Sequence, residues 1–374
     1  MNEDIRALFP VTRNYIYMNH SAVSPLSTRV RGAMTGLIDD VTENGSANYF
    51  DWCRAYDRAR ESAARLVNAR AHEIAFMRNT SDAISAVANG LDWREGDTVV
   101  TSNVEFPANI YPWMRLREER GVELVLAEER DGRIDPDELL SLVDARTRVV
   151  TLSWVQFASG FRSALAYIGR FCRERGILFF VDAIQGLGGL KLDVERDYVD
   201  AFAADAHKYL LGPEGVAVLY ISDRVLDSIK PTVVGWMSVK EYNRHLDYDL
   251  SYRDGALRFE SGTLNTVGVY GIGAALELFL EVGPEKIEEH LLGLGDYLAG
   301  LLQSKGYEVT GSRREGETSA IVTCSHRRHE ARDLYRHLLS RNIVTAPRAG
   351  RLRISPHFYN TREEIDALAE ALPD

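Results

Sequence analysis

Short apolar runs separated by longer amphipathic stretches fill the first 220 or so positions of the chain. Runs at 72–77, 97–101, 122–126, 148–153, 177–181 and 201–204 have strand length and favour β-branched and aromatic residues. Between them lie helical stretches. In one, Ile84, Val87, Ala88 and Leu91 recur at i, i+3, i+4 and i+7. This alternation predicts an α/β fold whose mostly parallel sheet lies between helices. A further run at 216–221 follows G-P-E-G, in which Gly212 and Gly215 flank Pro213. That is the composition of a tight turn, so this strand is expected to run back antiparallel to its predecessor.

The remainder fits around this core. Residues 1–15 predict a short helix stopped by Pro10. Residues 28–69 predict helix with a break at E-N-G-S-A-N, and Pro136 suits the first position of another helix. Residues 168–175 are expected to be helical, and 267–282 form a long apolar helix. Beyond it the pattern changes to a smaller α+β unit with strands at 308–310 and 320–324. The expected division is a large unit of residues 16–270 and a small one of residues 1–15 with 271–374.

Composition narrows the function. Of 374 residues, 45% are hydrophobic and 26% charged, as in ordinary globular chains. A formal charge of −11 argues against nucleic acid and anionic membrane as partners. No apolar run approaches the roughly 20 residues that span a bilayer. The start M-N-E-D-I-R-A-L-F-P lacks a basic region followed by an apolar core, so no secretory leader is expected. Three scattered cysteines, Cys53, Cys172 and Cys324, suit a reducing compartment, and a cytoplasmic location is expected. They suggest no metal site.

The chemistry gathers where strands end in polar residues. Residues 177–181 end at Asp182, and 201–204 run into Asp205-Ala206-His207-Lys208. Ligands of α/β sheets sit outside the carboxyl ends of parallel strands, so a carboxylate and an amine should share one crevice. Thr80, Ser81 and Asp82 open a helix. They read as caps, or as a phosphate cradle of free N–H groups and hydroxyls. The segment Y-I-Y-M-N-H-S-A ends in Asn19, His20 and Ser21, which by themselves read as a turn with a capping serine.

D-x-x-Q at Asp182–Gln185, D-A-H-K, G-P-x-G-x-x-x-L-Y and F-E-x-G-T at Phe259–Thr263 together resemble the class V aminotransferase family. Its members include cysteine desulfurases, kynureninase and isopenicillin N epimerase-like proteins, and the likeness extends over nearly the whole chain. It implies the fold type I architecture: a large domain with a mostly parallel seven-stranded sheet, plus a smaller α+β domain. It also implies pyridoxal 5'-phosphate, a small amino-acid substrate, and a homodimer with shared active sites.

Under that resemblance Lys208 holds the cofactor aldehyde as an imine and later moves protons. Asp182 faces the pyridine nitrogen, Gln185 the ring hydroxyl, and Phe106 stacks on the ring. Thr80, Ser81 and His207 cradle the phosphate, with Thr263 supplied by a second subunit. Asp205 stands where desulfurases have serine. Repelled by a phosphate, it is expected to bind His207 or a backbone N–H. Arg353 grips the substrate carboxylate, and Asn19, His20, Trp154 and Gln156 lie near the substrate. Trp154 replaces a histidine common in the family.

The same Cα deprotonation opens transamination, epimerisation and elimination, and the sequence does not choose among them. The stretch I-V-T-A-P-R-A-G-R-L-R-I-S before the carboxylate-binding arginine has no cysteine, which argues against persulfide chemistry of the desulfurase type. A desulfurase- or kynureninase-like lyase and a non-catalytic cofactor-binding protein are the alternatives. The absence of G-x-G-x-x-G after the early strands argues against a dinucleotide enzyme.

Overall fold

A computed structural model describes residues 3–374. Its centre is a seven-stranded sheet. In chain order the strands are β1 (Ile74–Met77), β2 (Thr98–Ser102), β3 (Glu123–Ala127), β4 (Thr147–Ser153), β5 (Leu178–Asp182), β6 (Ala201–Asp205) and β7 (Ala217–Ile221). In space they run β1-β7-β6-β5-β4-β2-β3. β7 pairs antiparallel with both β6 and β1, and the other neighbours are parallel. The turn at Gly212–Gly215 thus does what its composition predicts. β2 and β5 to β7 are buried along their whole length, as expected of strands covered on both faces.

Helices α1 (Thr28–Asn44) and α2 (Tyr49–Val67) are separated at Gly45, whose φ of 56° ends the first. α3 (Thr80–Gly90) follows β1 and is capped by Asn79, whose side chain accepts from Asp82 N–H. α4 (Tyr111–Arg120) and α5 (Leu165–Glu174) return the chain to the sheet. α6 (Thr266–Val282) sends Val269, Ile272, Leu276 and Phe279 into the same core as Phe76, Val218 and Phe202. It bends by 82° at Gly283 into α7 (Pro284–Ser304). Among the described residues no single helix is long and apolar enough to cross a membrane.

The four strands β8 (Glu308–Thr310), β9 (Val322–Ser325), β10 (Ala346–Arg348) and β11 (Arg351–Ile354) form a second, antiparallel sheet in the order 8-9-11-10. Its core holds Leu294, Leu298, Val322, Leu352 and Ile365. The N-terminal segment joins this sheet's neighbourhood. Ile16 and Tyr17 pair in parallel with Ile343 and Val344. A buried ion pair ties α2 to the F-E-S-G-T loop. Arg60 Nη1 lies 2.7 Å from Glu260 Oε1, and the same oxygen accepts from Phe76 N–H at 2.9 Å.

Candidate active site

The strand ends determine where the polar groups meet. Asp182 is the last residue of β5 and pairs in register with Ser153, the last of β4. Asp205 ends β6, and Lys208 lies just beyond it in a turn. Asp182, Gln185, Asp205, His207 and Lys208 line one cavity of about 320 Å³ with Thr80, Ser81, Phe106 and Arg353. Nine residues singled out from sequence thus converge. They come from three strand ends, one helix start and the small sheet.

Asp182 is almost inaccessible to solvent, and Ile184 N–H donates to its Oδ1 at 3.1 Å. Burial raises its pKa to about 7, against the opposing pull of that hydrogen bond and of Lys208. Burial likewise lowers the Lys208 amine to about 8, with Asp182 pulling the other way. Its Nζ lies 5.4 Å from the centroid of the Phe106 ring. Phe106 meets Phe157 edge to face at 5.3 Å.

Asp205 and Thr80 close a reciprocal pair: Thr80 N–H donates to Asp205 Oδ2 at 3.1 Å, and Asp205 N–H to Thr80 Oγ1 at 3.0 Å. Asp205 thus binds a backbone N–H. His207 Nδ1 lies 4.0 Å from Asp205 Oδ1. Burial raises the Asp205 carboxyl above the usual range and lowers His207 below it. With Thr80 committed to Asp205, Ser81 is the freer hydroxyl at the start of α3.

Gln185 Nε2 donates to Ser21 O at 3.1 Å. The following segment passes close to Tyr209. Gly188, at φ 98°, has no room for a Cβ against the Tyr209 carbonyl.

Arg353 sits on β11 with 1% exposure. Its Nη1 donates to Phe157 O at 3.1 Å, and burial lowers its pKa to about 10. Its Nε and Nη2 have no partner, and neither do Gln185 Oε1 and Asp205 Oδ1. Buried polar atoms without partners are rare; others occur elsewhere in the chain, such as Arg60 Nε and Thr101 Oγ1, but these four lie on residues that line one cavity. That is the signature of a polar ligand site.

Other expected residues lie elsewhere. His20 is buried behind the cavity, with Nδ1 2.8 Å from Ser355 O and Nε2 2.7 Å from Tyr359 Oη. Desolvation pushes it down to about 3, so it is neutral. Asn19 bridges to Ser355 in a strand-like contact. His20 is held inward by those two bonds, and the turn that follows carries Ser21, Ala22 and Val23 to the cavity. Trp154 is buried against Gly186, where even a Cβ would strike the indole, with the Arg162 guanidinium 5.8 Å from its ring. Gln156 Nε2 donates to Glu105 Oε1 at 2.5 Å. Asn19, His20, Trp154 and Gln156 are therefore not among the cavity's lining residues. Thr263 is exposed in a second cleft with Arg78 and Asp82.

Sequence reasoning also missed residues. Arg348 and Phe157 line the cavity. Buried Glu105 accepts from Ser102 Oγ, Asn109 Nδ2, Ser153 N–H, Ser153 Oγ and Gln156 Nε2, all within 3.0 Å. It pins the end of β4, beside Asp182, to the loop carrying Phe106. The signal available was an acidic residue directly before the ring-stacking position.

Comparison with known proteins fits this geometry. The family model for aminotransferase class-V matches residues 16–368. A probable cysteine desulfurase of Methanothermobacter thermautotrophicus is 32% identical, aligned over 100% of this chain and 97% of its own. Two solved structures of C-DES are each 25% identical. One is a mutant with glycine covalently linked to its pyridoxal-phosphate cofactor, at TM-score 0.90, covering 98% of each chain. The other, described as a cystine C–S lyase bound to its product cysteine persulfide, has TM-score 0.89 and covers 97% of this chain and 98% of its own.

Proposed function

The chain belongs to the class V aminotransferase family, and from that premise we propose that it carries out β-elimination on a β-substituted α-amino acid. It is a pyridoxal-phosphate-dependent enzyme. The lining fits that cofactor through its unpartnered polar atoms on Gln185, Asp205 and Arg353. When bound, the cofactor supplies an aldehyde for the amino group and a ring that accepts electrons from the α-carbon.

Lys208 is assigned to hold the cofactor and then to take the α-proton. A buried amine with a pKa near 8 is a competent base close to neutrality. Asp182 is assigned to the ring nitrogen. Its buried charge is costly alone and is recovered by an opposite charge at contact distance. Phe106 lies against the ring, and Ser81 and His207 hold the phosphate. Arg353 offers two unpartnered N–H positions to the substrate carboxylate in a planar fork.

The observation that carries the choice of elimination over persulfide transfer is that no cysteine lines the cavity that holds Lys208 and Arg353. Cys324, on β9, and Cys172, on α5, are buried, and desolvation pushes both thiols up to about 12. A sulfur or other leaving group therefore departs to solvent, not onto an enzyme thiol. With cysteine as probe, elimination yields pyruvate, ammonia and sulfide, whereas transfer to an enzyme thiol yields alanine. Product identification by NMR with purified holoenzyme decides. Alanine formed with a persulfide on Cys324 overturns the reading.

The same proposal includes a homodimer in which exposed Thr263 reaches the neighbouring phosphate, and the division into a large unit of residues 16–270 and a small one of residues 1–15 and 271–374. Light scattering should give twice the 42.0 kDa chain mass. A monomer with full cofactor occupancy counts against the shared site.

A further inference from the structure

We propose that the substrate carries a second carboxylate, at the end of its side chain, and that Arg348 receives it. The inference rests on the reading of Lys208 and Arg353 just given and adds the substrate class.

Arg348 ends β10 opposite Arg351, and Ala346 lies opposite Arg353. Residues directly opposite on an antiparallel pair share a face, as do residues two apart on one strand. Arg348 and Arg353 therefore lie on the same face of the β10–β11 hairpin, one pair apart. The connecting turn is only Ala349-Gly350, both at positive φ (47° and 75°), so the hairpin is tight and fixes this spacing. Both arginines line the cavity.

Neither guanidinium has a carboxylate partner among the described residues. Arg348 Nη1 donates to Pro347 O at 3.2 Å, and Arg353 Nη1 to Phe157 O at 3.1 Å. Arg348 is solvent-exposed where it lines the cavity and Arg353 is buried; other exposed arginines of the chain do pair with carboxylates, for example Arg78 with Asp82 and Arg115 with Glu119. The cavity's own acids are held elsewhere: Asp182 accepts from Ile184 N–H and Asp205 from Thr80 N–H. Burial first, and the neighbouring Arg348 second, lower the pKa of Arg353, so the two positive charges lie close enough to repel. The substrate's α-carboxylate satisfies Arg353 alone. A second anion satisfies Arg348. Its distance from the first is set by one residue pair of a hairpin, which calls for a short side chain.

The test uses isosteric pairs. Aspartate against asparagine, and glutamate against glutamine, are titrated into the purified holoenzyme, reading half-saturation from the cofactor absorption band. Each acid is expected to bind about tenfold tighter than its amide, the worth of one charge-assisted hydrogen bond, and Arg348→Gln should bring each pair to equality. Equal affinities in the parent protein, or a preference that survives Arg348→Gln, overturns the proposal. Calorimetric titration of succinate reads the arginine pair without an amino group. Succinate binding that is lost in Arg348→Gln supports the second-anion site even if no amino acid perturbs the cofactor band, an outcome that would sink the Lys208 reading instead. Succinate binding unchanged by Arg348→Gln overturns the second-anion site.

Discussion

The Lys208 ammonium lies 5.4 Å from the centre of the Phe106 ring, although the two residues come from loops about a hundred positions apart. The ring forms part of the cavity wall, and the amine approaches it from the end of β6. Borohydride treatment of the holoenzyme should fix the cofactor irreversibly to Lys208, read by peptide mapping. Label on any other lysine refutes the assignment. Phe106→Ala should leave that attachment intact and loosen the cofactor, seen as a higher dissociation constant.

Asp182 offers a pH test on cofactor-free protein. Its folded pKa, about 7, lies above the ordinary 3.8. Between those values the unfolded chain is ionised and the folded one is not, so the protein loses stability as pH rises through the window and the loss levels off above about 7. Asp182→Asn removes the burden. Its unfolding free energy should match the parent near pH 4 and exceed it at pH 8 by an amount on the order of 4 kcal/mol, read by denaturant unfolding. With cofactor bound the order should reverse and turnover should collapse. A constant difference across pH would show that the carboxyl is not carrying a desolvated charge.

Glu105 gathers five donors in a buried position. Glu105→Ala strands them, and denaturant unfolding should show a loss on the order of 3 kcal/mol or more. Glu105→Gln presents an amide N–H₂ where only acceptors fit, so it should rescue little. Full stability in either variant would show that water replaces the carboxylate.

The cysteines predict a labelling pattern. With thiols pushed up to about 12 and buried, Cys172 and Cys324 should resist iodoacetamide in the folded protein, and half-buried Cys53 should react first. Product formation should survive that labelling. Rapid modification of Cys324 with loss of activity would contradict a site free of enzyme thiols.

The sequence revealed the strand-end chemistry because position and periodicity coincide there. An apolar run of strand length must end at a sheet edge, so Asp182 and Lys208 could be placed before any coordinates. Helix breaks were legible for the same local reason, as at Gly45. Side-chain direction within a loop is not local. The bonds of His20 to Ser355 and Tyr359, over three hundred residues away, decide that Ser21 and not His20 faces the cavity. Trp154 points inward because Gly186 leaves a hollow for its ring, and that hollow exists only once β4 and the β5 loop are adjacent. Arg348 needed the hairpin register, and Glu105 needed its five partners.

The antiparallel seam between β7 and its two neighbours also bears on the order of assembly. β1 has no other partner in the sheet, and β7 lies some 140 positions later. While a ribosome is still short of residue 217, β1 has no strand of this sheet to pair with, although the helix that follows it can already pack on β6 and α4. The Thr80–Asp205 pair, 125 positions apart, needs the end of β6, and Arg353 of the same cavity arrives later still. The cofactor pocket is therefore completed after the other parallel strands have been made, and a nascent chain has no means of capturing its cofactor early. Loop closure over such separations is slow, so cofactor uptake reports on the final stage of maturation.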